Sequence, residues 1–279
     1  MTPQTIELGE SVLRIDEGVA EFSHQRPAAR NAMSMALRKD YEAMLARVTA
    51  ERDIRVLIIT GSGGSFCAGG DVKGMNERLH NPDPEFNSPD ATRRRLQDSH
   101  RWLTPLRELD VPVIAAVDGA AYGAGFGLAL QADFVLASTR AAFCMSFARM
   151  GAVPDYGALY TLPRIIGLAA AKDVMITARR IDAAEAHALG FVHAVHEPEV
   201  LLREAHAFAR RLCDGPREAA AMTKDLLNKS FETDYATMCS LEACAQGVAM
   251  HTPYHAEAAA RFSRGEPSLY DWDRPAAAR

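Results

Sequence analysis

Two short glycine-rich turns and one isolated carboxylate carry the residue types best suited to chemistry. The first turn, Ser65-Phe66-Cys67-Ala68-Gly69-Gly70-Asp71-Val72-Lys73, follows the β-branched run Val56-Leu57-Ile58-Ile59-Thr60 and leads into a segment of helical character. A strand that leaves through small residues into a helix start exposes unpaired backbone N–H groups, which suit a phosphate or a developing oxyanion. A P-loop closes its glycines with Lys-Ser or Lys-Thr, whereas these end in Asp71-Val72-Lys73. The second turn, Asp118-Gly119-Ala120-Ala121-Tyr122-Gly123-Ala124-Gly125-Phe126-Gly127, follows the strand-like Val113-Ile114-Ala115-Ala116-Val117 in the same manner. Two such turns can offer two N–H groups to one oxygen, the arrangement that stabilises an enolate or a tetrahedral oxyanion. The carboxylate is Asp155, in Val153-Pro154-Asp155-Tyr156-Gly157. Taken alone, an Asp after Pro at a helix start reads as an N-cap.

The elements that must position these groups follow from periodicity. Residues 5–24 alternate as an opening hairpin with a turn at Asp16-Glu17-Gly18, and Ser34 stands where it can cap a helix through Tyr41, Leu45 and Val48. Three prolines in the polar stretch 81–90 predict a mobile loop, followed by a helix over about 92–107 whose Trp102 reads as core. Phe134-Val135-Leu136-Ala137-Ser138 and Ala142-Phe143-Cys144-Met145 continue an alternation of strands and helices to about residue 195, which argues α/β. Spacing alone fits a doubly wound sheet or a spiral of repeated strand-turn-helix units. Gly123-Ala124-Gly125-Phe126-Gly127 lacks the Gly-x-Gly-x-x-Gly of a dinucleotide fold. From 197 onward the spacing is helical.

Composition narrows the function classes. The chain has 279 residues, 48% hydrophobic and 24% charged, with a formal net charge of -5. That balance fits a globular protein with a large core and argues against nucleic acid as a partner, whose phosphates need a basic face. The five cysteines (67, 144, 213, 239 and 244) show no Cys-x-x-Cys pair and no zinc spacing, so reduced thiols in a cytoplasmic protein are the expectation. The most apolar region, 111–137, is broken by Asp118, Asp133 and several glycines, and no membrane span is expected. Asp118 and Asp133 read as element-end residues, Tyr122 as packed, and His193 and His196 as surface residues. No Ser-His-Asp order is apparent, and Ser65 has no evident partner.

Phe66-Cys67-Ala68-Gly69-Gly70-Asp71-Val72-Lys73 together with Asp118-Gly119 to Gly127 resembles the crotonase (enoyl-CoA hydratase/isomerase) superfamily. Agreement continues at Arg26-Pro27-Ala28-Ala29-Arg30-Asn31-Ala32, at Leu162-Pro163-Arg164-Ile165-Ile166-Gly167, at Ile181-Asp182-Ala183-Ala184-Glu185-Ala186 with Leu189-Gly190-Phe191-Val192, and at Ala256-Glu257-Ala258-Ala259-Ala260-Arg261-Phe262. The matches run in order through nearly the whole chain. The resemblance implies an α/β fold with a ββα spiral core over 1–195 that binds acyl-CoA, and a helical region over 196–279 that assembles trimers or dimers of trimers.

It also implies site residues. The loop at 26–30 lies along CoA in the family, which makes Arg26 and Arg30 candidates for its phosphates and Ala28 and Ala29 for pantetheine contacts. The N–H groups of Ala68 and Ala124 would hold the thioester oxygen, with Gly69, Gly70, Asp71 and Gly123 around them. Phe66, Phe126 and Phe147 would line the pocket and raise the pKa of Asp155. The segment 74–100 would cover the acyl group and set specificity. A family hydratase holds its water with two glutamates; here Gly127 and Phe147 stand at those positions. Asp155 occupies the place of the single catalytic Asp of family isomerases, and Val-Pro-Asp with Leu-Pro-Arg most resembles phenylacetate-type epoxide and Δ3,Δ2-enoyl-CoA isomerases. The expectation is therefore an enoyl-CoA isomerase without metal or redox cofactor, coenzyme A being part of the substrate. A hydratase, a thioester hydrolase and a non-catalytic acyl-CoA-binding scaffold are the alternatives.

Overall fold

The alternating N-terminal residues pair as an antiparallel meander, β1 (Gln4–Glu7) with β2 (Ser11–Asp16) and β2 with β3 (Val19–His24). The structure is a computed structural model and describes residues 3–273. α1 (Met35–Ala50) starts where the sequence places its cap: the Ser34 hydroxyl accepts the Leu37 N–H at 3.0 Å.

A unit of two strands and a helix then recurs. β4 (Val56–Gly61) and β5 (Ser65–Cys67) precede α2 (Val72–Leu79) and α3 (Pro89–Arg107). β6 (Val113–Val117) and β7 (Ala120–Tyr122) precede α4 (Ala124–Ala129). β8 (Phe134–Ser138) and β9 (Ala142–Cys144) precede α5 (Ala158–Ile166) and α6 (Leu168–Thr177). β10 (Arg180–Asp182), α7 (Ala183–Ala188) and β11 (Ala194–His196) close the sheets. The chain continues through α8 (Pro198–Cys213), α9 (Arg217–Lys229), α10 (Tyr235–Ala249) and α11 (Pro253–Ser263).

The first strand of each unit joins a seven-stranded sheet of order β1-β2-β3-β4-β6-β8-β11, parallel from β3 onward, and the second joins a four-stranded sheet of order β10-β9-β7-β5. Each unit thus steps along both sheets at once, which is the spiral rather than the doubly wound alternative. The main core contains Leu57, Ile59, Phe66, Phe126 and Phe143 with Tyr41 of α1 and Trp102 of α3. Strands buried on both faces need continuous apolar runs, which is why β4 and β6 show no alternation.

Two expectations change. α3 begins at Pro89, with Ser88 accepting the Ala91 N–H at 3.1 Å, so the helix starts three residues before the position read from its apolar spacing; Pro at the first helical turn is a start signal rather than a loop signal. α8 belongs to the core although it lies in the 196–279 region assigned to assembly. Its Leu201, Ala205 and Ala209 pack on Val19, Val56, Ile58, Ile114 and Leu136, covering the second face of the large sheet. Among the described residues no helix is long and apolar enough to cross a membrane.

Candidate active site

β5 and β7 run parallel, with Ser65 opposite Ala120 and Cys67 opposite Ala121, so the two glycine-rich turns emerge side by side. Their glycines let them interlock. A Cβ on Gly69 would stand 2.8 Å from the Tyr122 carbonyl oxygen and 3.8 Å from the Ala124 nitrogen, and one on Gly125 would strike the Cys67 carbonyl. Gly69 and Gly123 also have positive φ, 103° and 51°, where L side chains are strained.

This contact revises the donor pair. The Ala68 N–H already donates to the Arg30 carbonyl at 3.0 Å and is not available to a ligand. Two residues further along the turn, the Gly70 N–H has no acceptor among the turn and loop hydrogen bonds, and neither has Ala124 at the start of α4. Gly70 and Ala124 therefore form the pair that can point at one oxygen. A two-residue offset is invisible in the sequence, because the bridge that sets the register joins Gly70 to the distant Met33. Phe147 lies beside this pair, its ring 3.7 Å from where a Gly123 Cβ would be.

Asp155 is not a cap. α5 is preceded by Gly157 at φ 72° and has no side-chain cap bond. The Asp155 backbone carbonyl accepts the Ala158 N–H at 3.1 Å, while its carboxylate Oδ1 is buried with no hydrogen-bond partner in the protein. Burial lifts its pKa to about 6, against the lowering pull of the Arg38 guanidinium. The Asp155 backbone packs on α4: a Cβ on Gly127 would be 3.2 Å from the Asp155 carbonyl oxygen, and Gly127 is one turn from Ala124.

The same glycine explains the missing carboxylates. A Cβ on Gly127 would be 2.8 Å from the Tyr156 Cβ. Tyr156 takes up that room, held at φ 53° and almost wholly buried, with its ring edge-on to Trp102 at 5.7 Å. Around Asp155 the structure adds groups that sequence reading missed. Arg38 of α1 donates to the Ser99 hydroxyl of α3 at 2.8 Å, and Arg38 and Asp155 both act electrostatically on Tyr156. A half-buried arginine on a helix gives no sequence signal of a site. Tyr156, next to Asp155 and before a glycine, was the readable hint.

Other anticipated residues have different tasks. Phe66 and Phe126 are completely buried in the core, and Phe126 packs on Phe143 and Phe191 at 5.2 and 5.0 Å. Arg26 is held by Asp71 at 3.2 Å and by Glu10 at 3.5 Å, and Asp71 also caps α2 through the Gly74 N–H. That pair fixes the first turn instead of offering a free guanidinium. Arg30 is exposed, with Ala28 and Ala29 beside it in a single 3-10 turn. Asp118 pairs with Arg140, and Asp133 with Lys224 and the Val113 N–H, as element-end residues do.

A sequence model of the family described as Enoyl-CoA hydratase/isomerase matches residues 14–265. The chain belongs to this family. Among its relatives, the family member from Escherichia coli (strain K12) named 1,2-epoxyphenylacetyl-CoA isomerase is 32% identical over 248 residues, covering 89% of this chain and 93% of its own. A crotonyl-CoA hydratase from Syntrophomonas wolfei is 32% identical over 252 residues, covering 90% and 94%. The crystal structure of an enoyl-CoA hydratase/isomerase from Cupriavidus metallidurans CH34 shares 39% identity and superposes with a TM-score of 0.89 over 95% of this chain and 97% of the other. The family fold is thus the fold found here, and its members carry both isomerase and hydratase names.

Proposed function

We propose that the protein is an acyl-CoA isomerase that moves a double bond, or rearranges a ring, through a thioester enolate. The observation that carries this reading is Asp155, partly buried, with its Oδ1 lacking a hydrogen-bond partner and its pKa raised to about 6, where a general base is close to its working range. The thioester oxygen sits between the N–H groups of Gly70 and Ala124. These donors are held by the interlocked turns before reaction, and each such donor typically contributes about 3–4 kcal/mol to the enolate. Ionised Asp155 removes a proton from the carbon next to the carbonyl and becomes neutral. The electron pair is delocalised onto the oxygen, and the same carboxyl returns the proton two carbons further along. One group suffices because it is base and acid in turn.

Hydration needs a positioned, activated water. The position of the first hydratase glutamate is Gly127, with Tyr156 packed against it, and the second is the aromatic Phe147, which supports isomerisation over hydration. The names of the relatives favour a hydratase as the second reading. The purified protein should be mixed with a cis-3-enoyl-CoA, a trans-2-enoyl-CoA and a ring epoxide of phenylacetyl-CoA, with products read by mass and chromatography. The isomerase gives products of unchanged mass with a shifted bond or expanded ring; a gain of one water on the trans-2 substrate would overturn it in favour of the hydratase.

A further inference from the structure

A cavity of about 350 Å³ opens where α1 gives way to β4, walled by Arg52, Asp53, Arg55, Arg217, Glu218 and Tyr254. It is remote from the proposed donor pair. The 16 residues of α1, about 24 Å of helix, separate Arg52 from Met33, which pairs with Gly70.

The three arginines come from two segments that the fold joins, the α1–β4 connection and the start of α9. Backbone carbonyls fix two of them. Arg55 Nη2 donates to the Gly215 carbonyl at 2.6 Å, and Arg217 Nη1 donates to the Ile54 carbonyl at 2.9 Å and to the Arg52 carbonyl. These acceptors are neutral, so they hold the guanidiniums without cancelling their charge. Nearby arginines are paired, Arg47 with Glu51 and Arg210 with Glu17. Among the described residues none of the three at the cavity meets a carboxylate in an ion pair, Asp53 and Glu218 on the same wall included. Partial burial, and after it the charges of Arg52 and Arg55, hold the Arg217 guanidinium below its usual range in spite of Asp110 and Glu218. Like charges are thus gathered around one cavity and kept there by neutral bonds, an arrangement that an anion relieves. The volume is at the small end of small-molecule sites. Guanidinium forks match the oxygens of a carboxylate or a phosphate. Three of them set against two wall carboxylates suit the group of higher charge, a phosphate near -2 at neutral pH.

We propose that Arg52, Arg55 and Arg217 form a binding site for a phosphate group, free or as the ester of a small molecule, separate from the thioester site. It goes beyond the proposed function and does not depend on it.

Calorimetric titration of the full chain with inorganic phosphate and with glucose 6-phosphate tests this, ionic strength being held constant with sodium chloride. Saturable binding at one site per chain is expected. Arg52 is exposed, so Arg52→Gln should leave thermal unfolding unchanged while weakening binding about tenfold. Glu218 is exposed as well, and Glu218→Gln, which removes a wall carboxylate, should tighten binding about threefold. Tighter binding of glucose 6-phosphate assigns the site to a phosphate ester; equal or tighter binding of inorganic phosphate assigns it to the free ion. If neither binds above the chloride background, or if Arg52→Gln leaves binding unaltered, the inference is overturned. Weaker binding in Glu218→Gln overturns it too, because the wall would then be recognised through its carboxylate.

Discussion

Asp155 holds a proton more tightly in the folded chain than in the unfolded one, because burial raises its pKa from 3.8 to about 6 in spite of Arg38. Between those two values the folded state binds the extra proton, so this group's contribution to stability falls as pH rises through the window. At neutral pH the ionised carboxylate is a net cost on the order of 2–3 kcal/mol. Asp155→Asn should therefore raise the denaturation midpoint at pH 7 but not at pH 4, while lowering turnover by about 10²–10⁴-fold; urea unfolding at both pH values and a turnover assay check the two halves. As the proposed base, Asp155 must be ionised to act, so kcat/KM of the parent should rise with pH through about 6. Replacing Arg38 removes the opposing charge, and R38M should move that half-point upward in a pH–rate profile. Gly127 yields a different outcome. A Cβ there meets Tyr156 at 2.8 Å, so Gly127→Glu should lose about 1–3 kcal/mol and gain no hydration of a trans-2-enoyl-CoA, read by thermal melt and product mass.

At the scale of elements, α1 is the part that carries Arg38 to Asp155, and its placement depends on Asp40. The Asp40 carboxylate accepts the Gly9 and Glu10 N–H groups at 3.0 and 2.7 Å and the Ser11 hydroxyl at 2.8 Å, tying the helix to the loop between β1 and β2. Asp40→Ala leaves these donors unpaired and should cost about 1.5–3 kcal/mol in urea unfolding. On the other side, His24 of β3 bridges Tyr41 of α1 and the Phe66 carbonyl at 2.7 and 3.0 Å. A carbonyl only accepts, so Nδ1 carries the proton and Nε2 accepts from Tyr41. Burial keeps this ring neutral, its pKa lowered to about 4, and its contribution to stability is lost as pH falls from about 6.5 through about 4. The strand runs and the Ser34 cap were legible because they are local patterns. The work of Asp40 and His24 was not, because their partners lie tens of residues away or across a sheet.

At the scale of the whole molecule, α9, α10 and α11 have no fully buried residue. Phe231, Tyr235, Val248 and Phe262 are 71%, 86%, 58% and 87% exposed, more apolar surface than a helical region of this size normally leaves in water. The expectation from the family resemblance, three copies or two sets of three, supplies a cover for it. Light scattering should give a mass of three or six chains, and Phe262→Asp should lower it if this face is the contact. The spiral itself was legible only through resemblance, since strand-helix alternation fits either wound or spiral sheets. The pairing of β5 with β7, which decides the architecture, involves three-residue strands too short to register as a pattern.

The sequence by itself determined the family, the order of the strand pairs and the two small-residue turns, and it singled out Asp155 as the candidate carboxylate. Those follow from residue type and near-neighbour spacing, which act locally. Only the tertiary structure decided which N–H groups remain free, since the Ala68 donor is taken by the Arg30 carbonyl from a loop far away in sequence. It alone separated Arg26, bound to Asp71, from a free guanidinium, and showed Phe66 and Phe126 to be fully buried. It also brought Arg38 within electrostatic reach of Asp155 and Trp102 against Tyr156. Whether a polar group is spent or available depends on what the fold places opposite it, and that is a property of contacts, not of composition.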